Sequence, residues 1–424
     1  MNSLNKNKLV QWLIYLIVLI LFLNFIGMYV SNYYFNDGDY RDSFGFLFKP
    51  DDSPPVSLES SIGFHYFGDT SELAYLSKLE DPYTNKSFRQ SYPPLLILLF
   101  KNFILSGQHV LIFNIFIHLF SLLLIFSSAL KNSKNVDFSV KFLLFFVVCS
   151  KFFIYSLDRG NIEFFIILIL FFVLFFDLKI SQKIILLSIA TSLKPSILIF
   201  IPIFGFKILS ISAIMTFVIY SISFLLLKEP IFTSFLNMVS AFSNTKFPTL
   251  HNWQLIEQDL SIWGKIYWLR HLDNIVETSF GIFLQALYNN RSIIFYLIIS
   301  ITWLIFISKE RRESMENNTE LWIFLSLTSV LMFSFSGVYK STILIIPLFM
   351  LMKSKNSIHN GNLYIFLITM VFLPIPIFRH MTTFNIYTDL SIWSFFSFSF
   401  SLILYLIIVY NLVVKAKKNL VKKE

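Results

Sequence analysis

Cysteine is all but missing from this chain. The single residue, Cys149, sits inside an apolar run, so neither a disulfide framework nor a cysteine-ligated zinc can be built from it. Charge is scarce as well. Asp, Glu, Lys and Arg make up only 14% of 424 residues, below the usual share of a soluble globular protein. No small-residue cleavage site follows the first apolar run, which is therefore expected to be an uncleaved span rather than a secretory signal. His251, in the stretch HNWQ, has no His, Cys or carboxylate set at metal-ligand spacing around it, and no internal repeat is visible.

The chain is instead filled with apolar residues: 56% are hydrophobic and 18% aromatic. The apolar runs are near 20 residues, a length that fits helices, whereas barrel strands would alternate over segments of about ten. The reading is an all-α polytopic membrane protein. The net charge of +9 would suggest nucleic acid in a soluble protein. Here Lys and Arg gather in short connectors and at both ends, the pattern of cytoplasmic topology signals, and no nucleic-acid partner is expected.

Charge parity along the chain then sets the expected topology. Lys6 and Lys8 precede a first span over Leu9 to Val30, so residues 31–107 form a first external loop. The next apolar stretch, Leu95 to Leu130, is too long for one span. If both of its halves crossed, Lys131, Lys134 and Lys141 would face outside; Pro93 to Leu105 is therefore expected to be a half-helix in the outer leaflet, and His109 to Leu130 the crossing. Further crossings come at Phe142–Leu157 and Phe164–Phe176. A pair of short helices, Ile184–Leu193 and Ser196–Phe206, has Lys194-Pro195 at its external tip, and Ile208–Leu227 crosses next. Residues 228–290 form a second external loop, whose KIYWLRHLDNIV portion reads as an amphipathic surface helix. Later spans alternate around a KERR loop and around Tyr339-Lys340 to a basic end. The total is about twelve crossings in a single integral membrane domain, 1–424, with both termini cytoplasmic.

The external face collects the chemically unusual residues. Asp69 lies upstream of DPY (81–83) and SYPP (91–94), in a loop pinned by the half-helix. A carboxylate held there can take a proton from a sugar hydroxyl as its oxygen attacks a lipid-linked donor. Loss of the proton late in an oxocarbenium-like transition state makes a weak base adequate. Asp37 and Asp39 are the alternatives for that base. In the DRGNIE segment, Arg159 either pairs with Asp158 or Glu163 or, with Asn161, binds an anionic or sugar group. Lys194 beside a proline break suits a phosphate or snorkels to the headgroups; Lys340 is a weaker candidate of the same kind. Arg89 and His251 also face the outside. For His251 the ordinary reading is a solvated loop side chain.

The order of Asp69, DPY, YPP (92–94), a polar turn before an apolar span and SLKP (192–195) resembles glycosyltransferase family 87 of the GT-C superfamily, which includes the polyprenyl-phosphate-mannose-dependent mannosyltransferases. The resemblance covers roughly Asp69 to Leu227. It implies a GT-C bundle whose external loops carry the site, and an inverting transfer of a hexose, mannose by analogy, from a polyprenyl-phosphate donor to an envelope glycan or glycolipid. It further implies Asp69 as base, Tyr92, Pro93 and Pro94 bordering the donor site, and Lys194 by the lipid phosphate. With Arg89, Arg159 and Lys340 as further phosphate-binding candidates, and Asp158, Asn161, Glu163 and His251 as binding or shaping residues, the candidate set is complete. The scheme calls for no cofactor and no metal, and for a bacterial inner-membrane location with membrane lipids around the bundle. The chain departs from the family in its Asp158-Arg159-Gly160-Asn161 turn, where Gly-Gln-x-Asn is common, in Tyr339-Lys340 where a histidine is frequent, and in the distance of Asp69 from the first span. A surface-polysaccharide polymerase would usually carry paired external arginines, which are not found. A lipid-linked glycan flippase would carry charge at mid-membrane depth and repeated halves.

Overall fold

A computed structural model describes residues 6–35, 68–84, 92–103, 107–150, 152–153, 156–157, 161–243, 262–263, 266, 278–307, 318–332, 338–354, 360–373 and 389–421. Among these residues there is no strand; the regular structure is helical throughout. The first helix, α1 (Lys6–Phe35), opens one of two compact units, formed by residues 1–35, 144–152 and 247–424. The other comprises residues 36–143 and 153–246.

The second of these units contains the stretch of the sequence with the most motifs. Its helices are α2 (Gly68–Ser77), α3 (Pro94–Phe103), α4 (Gly107–Ser133), α5 (Val136–Lys141), α6 (Glu163–Phe175), α7 (Ile180–Leu193), α8 (Phe206–Leu226) and α9 (Ile231–Ser243). Helix α3 has ten residues, about 15 Å at the α-helical rise, half of a bilayer's hydrocarbon thickness. It starts where Pro93 leaves its carbonyl to the amides of Leu96 and Ile97, and it buries Leu96, Ile97 and Phe100 while Lys101 and Phe103 stay exposed. Its neighbours are α2, α7 and α8.

Helix α4 is patterned inside out. Ile112, Phe116, Leu119 and Leu123, spaced to share one face, are each more than half exposed, whereas Asn114, His118, Ser121 and Ser128 are buried. Lipid, not water, suits such a surface, because hydrocarbon outside favours apolar side chains there and leaves the polar ones to the interior. Helix α6 runs parallel to α4. His118, early in α4, lies against Phe164 at the start of α6, while Asn132 at the end of α4 donates to the Phe175 carbonyl at 2.8 Å and Lys131 reaches Asp177 at 3.1 Å.

Two expected helices take other forms. Ile180–Leu193 is α-helical, but after Lys194 the chain makes a pair of 3-10 turns, Pro195–Ile199 and Ile201–Phe204. Pro195 and Pro202 supply no amide, and the available bonds are short-range: Ile197 to Lys194, Phe200 to Ile197, Ile203 to Phe200. Gly205 ends the run at φ 106°, a conformation open to glycine. In place of an unbroken helix over Phe142–Leu157, the described chain is a π-helical stretch, Phe142–Val148, closed by the Cys149 amide on the Leu144 carbonyl and the Ser150 amide on Val147. Residues 228–290, expected as the second external loop, begin with the apolar helix α9.

The unit that contains α1 also holds α10 (Ser279–Asn289), α11 (Arg291–Ile307), α12 (Thr319–Leu331), a 3-10 segment (Val338–Leu344), α13 (Ile345–Lys353), α14 (Gly361–Phe372) and α15 (Asp389–Val421). Helix α12 is buried on all sides, with Trp322 fully enclosed, as an apolar helix at the centre of a bundle must be. Around it pack α13, α15 and the 3-10 segment; α14 lies against α1, α13 and α15. Tyr405 of α15 stacks on Phe324. Asn411 near the end of α15 donates to the Tyr364 hydroxyl at 2.6 Å, and that hydroxyl faces Glu320 at 3.5 Å, so the starts of α12 and α14 meet the end of α15. Lys6 donates to the Ser354 carbonyl after α13.

By length and composition four helices can cross a bilayer, with spans Lys6–Leu23, Ile112–Ser133, Phe206–Leu226 and Ser397–Val414. The pair α10 and α11, bent by 61° at Asn290, makes a fifth if it is counted as one span. The remaining apolar helices have 10–17 residues, fewer than the roughly 20 a single crossing needs. The described residues thus form an all-helical structure with helices suited to a membrane.

Candidate functional site

Two hydrogen-bonded clusters organise the motif-bearing unit. The first joins DPY to YPP. The Tyr83 hydroxyl donates to the Tyr92 carbonyl at 2.6 Å, which ties the end of one motif to the start of the next. Pro82, Pro93 and Pro94 are buried there, and Tyr92 is half-buried. The Tyr83 amide and the Thr84 hydroxyl donate to Glu229, at 2.9 and 3.3 Å, and Ser234 adds a third donor at 3.0 Å. Asn237 on α9 donates to the Tyr83 carbonyl at 3.0 Å. Glu229 is only 4% exposed, and its two oxygens are bonded by groups that come from the loop before α3 and from α9. The Tyr83 ring meets Phe224 edge-on. Burial, and after it the nearby Tyr220 and Glu229, push its phenol well above the usual tyrosine range, so it keeps the proton that it donates to Tyr92.

The second cluster is a chain of polar side chains that starts beside Asp69. Thr70, in the first turn of α2, donates to the Asn114 side-chain oxygen at 3.1 Å. One turn along α4, His118 places Nδ1 2.8 Å from the Asn114 carbonyl and Nε2 3.3 Å from the Ser156 hydroxyl. Ser156 donates to the Asn161 carbonyl at 2.9 Å, and the Asn161 amide returns to the Ser156 carbonyl at 2.8 Å. All five residues are buried. The chain connects the helix of Asp69 to Asn161, the last residue of the DRGN segment.

Of the residues the sequence singles out, the structure joins Tyr92, Pro93 and Pro94 to the first cluster and Asn161 to the second. Asp69 is on α2 and Glu163 begins α6; their backbone positions are described, their side chains are not. Lys194 stands in extended conformation between α7 and the first 3-10 turn, half-buried, its amide capping α7 on the Ala190 carbonyl at 2.8 Å. Lys340 is 9% exposed in the 3-10 segment of the other unit. Asp37, Asp39, Arg89, Asp158, Arg159 and His251 lie outside the described residues, as does most of KIYWLRHLDNIV.

Sequence reasoning missed Tyr83 as the link between the motifs, and missed Glu229, Asn114, His118 and Ser156. A signal was present for two of them: His118 interrupts an apolar run and Glu229 ends one, and an ionisable group in such a place calls for a partner. Among the described residues no group of three or more His, Cys, Asp or Glu side chains could hold a metal ion. Compared with protein-family models, with curated proteins and with solved structures, the chain matches none.

Proposed function

We propose that the protein is a GT-C-type hexosyltransferase that moves a hexose, mannose by analogy, from a polyprenyl-phosphate donor to an envelope glycan or glycolipid. In this reading the bundle crosses a bacterial inner membrane about twelve times, both termini are cytoplasmic, and the reaction takes place on the outer face. The acceptor hydroxyl loses its proton to Asp69 as its oxygen attacks the anomeric carbon. The bond from that carbon to the phosphate oxygen breaks on the opposite side, which inverts the configuration, and the polyprenyl phosphate leaves with the electron pair. Arg89, Arg159 and Lys194 are the cations proposed to offset the charge that grows on it. Tyr92, Pro93 and Pro94 border the donor, and the lipid tail runs along the short helix α3.

The observation that carries the reading is the polar chain from Thr70 to Asn161. It supports linking the Asp69 helix to Asn161, a candidate binding residue that the transfer requires nearby. The bond from Tyr83 to Tyr92 supports treating DPY and YPP as one structure.

The test is transfer by purified protein in lipid, supplied with polyprenyl-phosphate hexoses and an envelope glycolipid extract. The wild type forms product, and Asp69→Asn loses at least about 100-fold in rate, the lower range for removing a general base. Full transfer by Asp69→Asn would pass the role to Asp37 or Asp39. A wild type inert toward every donor would sink the transferase reading itself.

A further inference from the structure

We propose that the elbow between α10 and α11 is seated on the membrane boundary: α10 lies along the interface, α11 alone crosses, and Arg291 takes the phosphate of a lipid headgroup. This rests on the membrane reading of the chain and not on the chemistry of transfer. Helix α11 has 17 residues, the short end of the range that spans a bilayer. Joined to α10 across the 61° bend it would make one broken span instead, and Arg291 separates the two possibilities. With the bend shared between the two arms, a broken span would carry Arg291 about 15 Å further in than Ser279, toward the middle of the hydrocarbon. Among the described residues its guanidinium has one acceptor, the Tyr288 carbonyl at 3.0 Å, and its Nε is shielded with none. A cation so poorly compensated is costly at that depth and at ease at headgroup level.

The elbow is built from its own side chains. Asn290 donates to the Ala286 carbonyl at 2.8 Å and Arg291 to that of Tyr288, so both supply donors to the end of α10 where the helix bends. Arg291 also lies over the Tyr288 ring, 4.3 Å from its centre. These contacts fix the guanidinium at the bend and, among the described residues, leave most of its five donors without an acceptor. Helix α10 suits the same level. Phe280, Ile282 and Phe283 are each more than half exposed along one side. On the other side Gly281 and Leu284 are buried, and Leu287 and Tyr288 pack against Trp263, whose indole donates to the Met332 carbonyl after α12 at 2.8 Å. Ser279 and Asn289 stand exposed at the two ends. A helix covered by protein on one side and bare of charge on the other can lie in the boundary with its rings among the acyl chains. The anion an arginine meets there is the headgroup phosphate, whose oxygens match the guanidinium fork.

Depth tests the placement. Full-length protein with Cys149 replaced by serine is set in vesicles of phosphatidylglycerol and phosphatidylcholine, with spin labels at Ser279→Cys or Asn289→Cys. Collisions with oxygen and with a water-soluble nickel chelate give the depth of each label. An interfacial α10 places the two within about 7 Å of one level, both near the headgroups, whereas a broken span sets position 289 about 13 Å below position 279. A difference above about 10 Å overturns the proposal. The part of Arg291 is read in dodecyl maltoside, a detergent without phosphate, by following the unfolding midpoint as phosphatidylglycerol is added. Arg291→Gln is expected to need about tenfold more lipid for half of the rise, the scale of one charge-assisted hydrogen bond, and Arg291→Lys, which keeps the charge, less than that. Loss of the bond to Tyr288 shows separately, in the midpoints before lipid is added. With a diglucosyl diacylglycerol, which lacks phosphate, wild type and Arg291→Gln are expected to titrate alike. Superimposable phosphatidylglycerol curves, or an equal loss with both lipids, overturn the assignment of Arg291 to a phosphate.

Discussion

Glu229 shows how much one side chain can organise. Three donors from two separated segments converge on a carboxylate that water hardly reaches. Its removal would leave the Tyr83 amide and the Ser234 hydroxyl buried without their acceptor, the costly side of hydrogen-bond energetics. Glu229→Ala is expected to lower stability by about 3 kcal/mol, and Glu229→Gln, which keeps one acceptor and can donate to the two hydroxyls, by about 1 kcal/mol. Thermal unfolding of the purified protein in detergent measures both. Equal, small effects would show that the loop before α3 is held by other contacts. Neither Glu229 nor His118 is legible as a hub in the sequence. Tyr83 and Glu229 are 146 positions apart, and no local spacing relates them.

At the scale of elements, the sequence speaks clearly where proline and glycine punctuate it and poorly where it is uniformly apolar. Pro93-Pro94 marks the start of α3 and Lys194-Pro195 the end of α7, whereas the expected helix Ser196–Phe206 passes over Pro202 and Gly205, which bound the 3-10 turns instead. The π-helical stretch Phe142–Val148 carries no such mark, because an apolar run satisfies either hydrogen-bond spacing equally well. Gly205 offers a clean test. No atom lies within 4 Å of where a Cβ would stand, so any cost of Gly205→Ala comes from backbone strain at φ 106° rather than from crowding. The expected loss is about 1–3 kcal/mol, and Gly205→Asn loses as much, because ψ 154° lies outside the left-handed helical region in which asparagine is tolerated. Unfolding midpoints decide it; an unharmed Gly205→Ala would show that the junction between the 3-10 turns and α8 relaxes to negative φ.

For the whole molecule the open quantity is topology, and labelling can read it. With Cys149 replaced by serine, single cysteines at positions 69, 158 and 251 are expected to react with a membrane-impermeant maleimide in intact cells. Asp137→Cys, at an exposed site between α4 and the π-helical stretch, is expected to react only after permeabilisation. Position 137 is the decisive one. Reaction there from outside would mean that α3 and α4 both cross, and the half-helix reading of residues 93–105 would fall.

Composition alone determined that this chain is helical and suited to a membrane, because hydropathy and run length are sums over neighbours and need no fold to be read. It also marked where polar residues interrupt the apolar runs. Only the tertiary structure decided which of those residues meet. Thr70 and Asn114, His118 and Ser156, Tyr83 and Glu229 come together because a buried polar group in an apolar bundle is stabilised by bonding another, and the packing of α2, α4, α8 and α9 selects the partners.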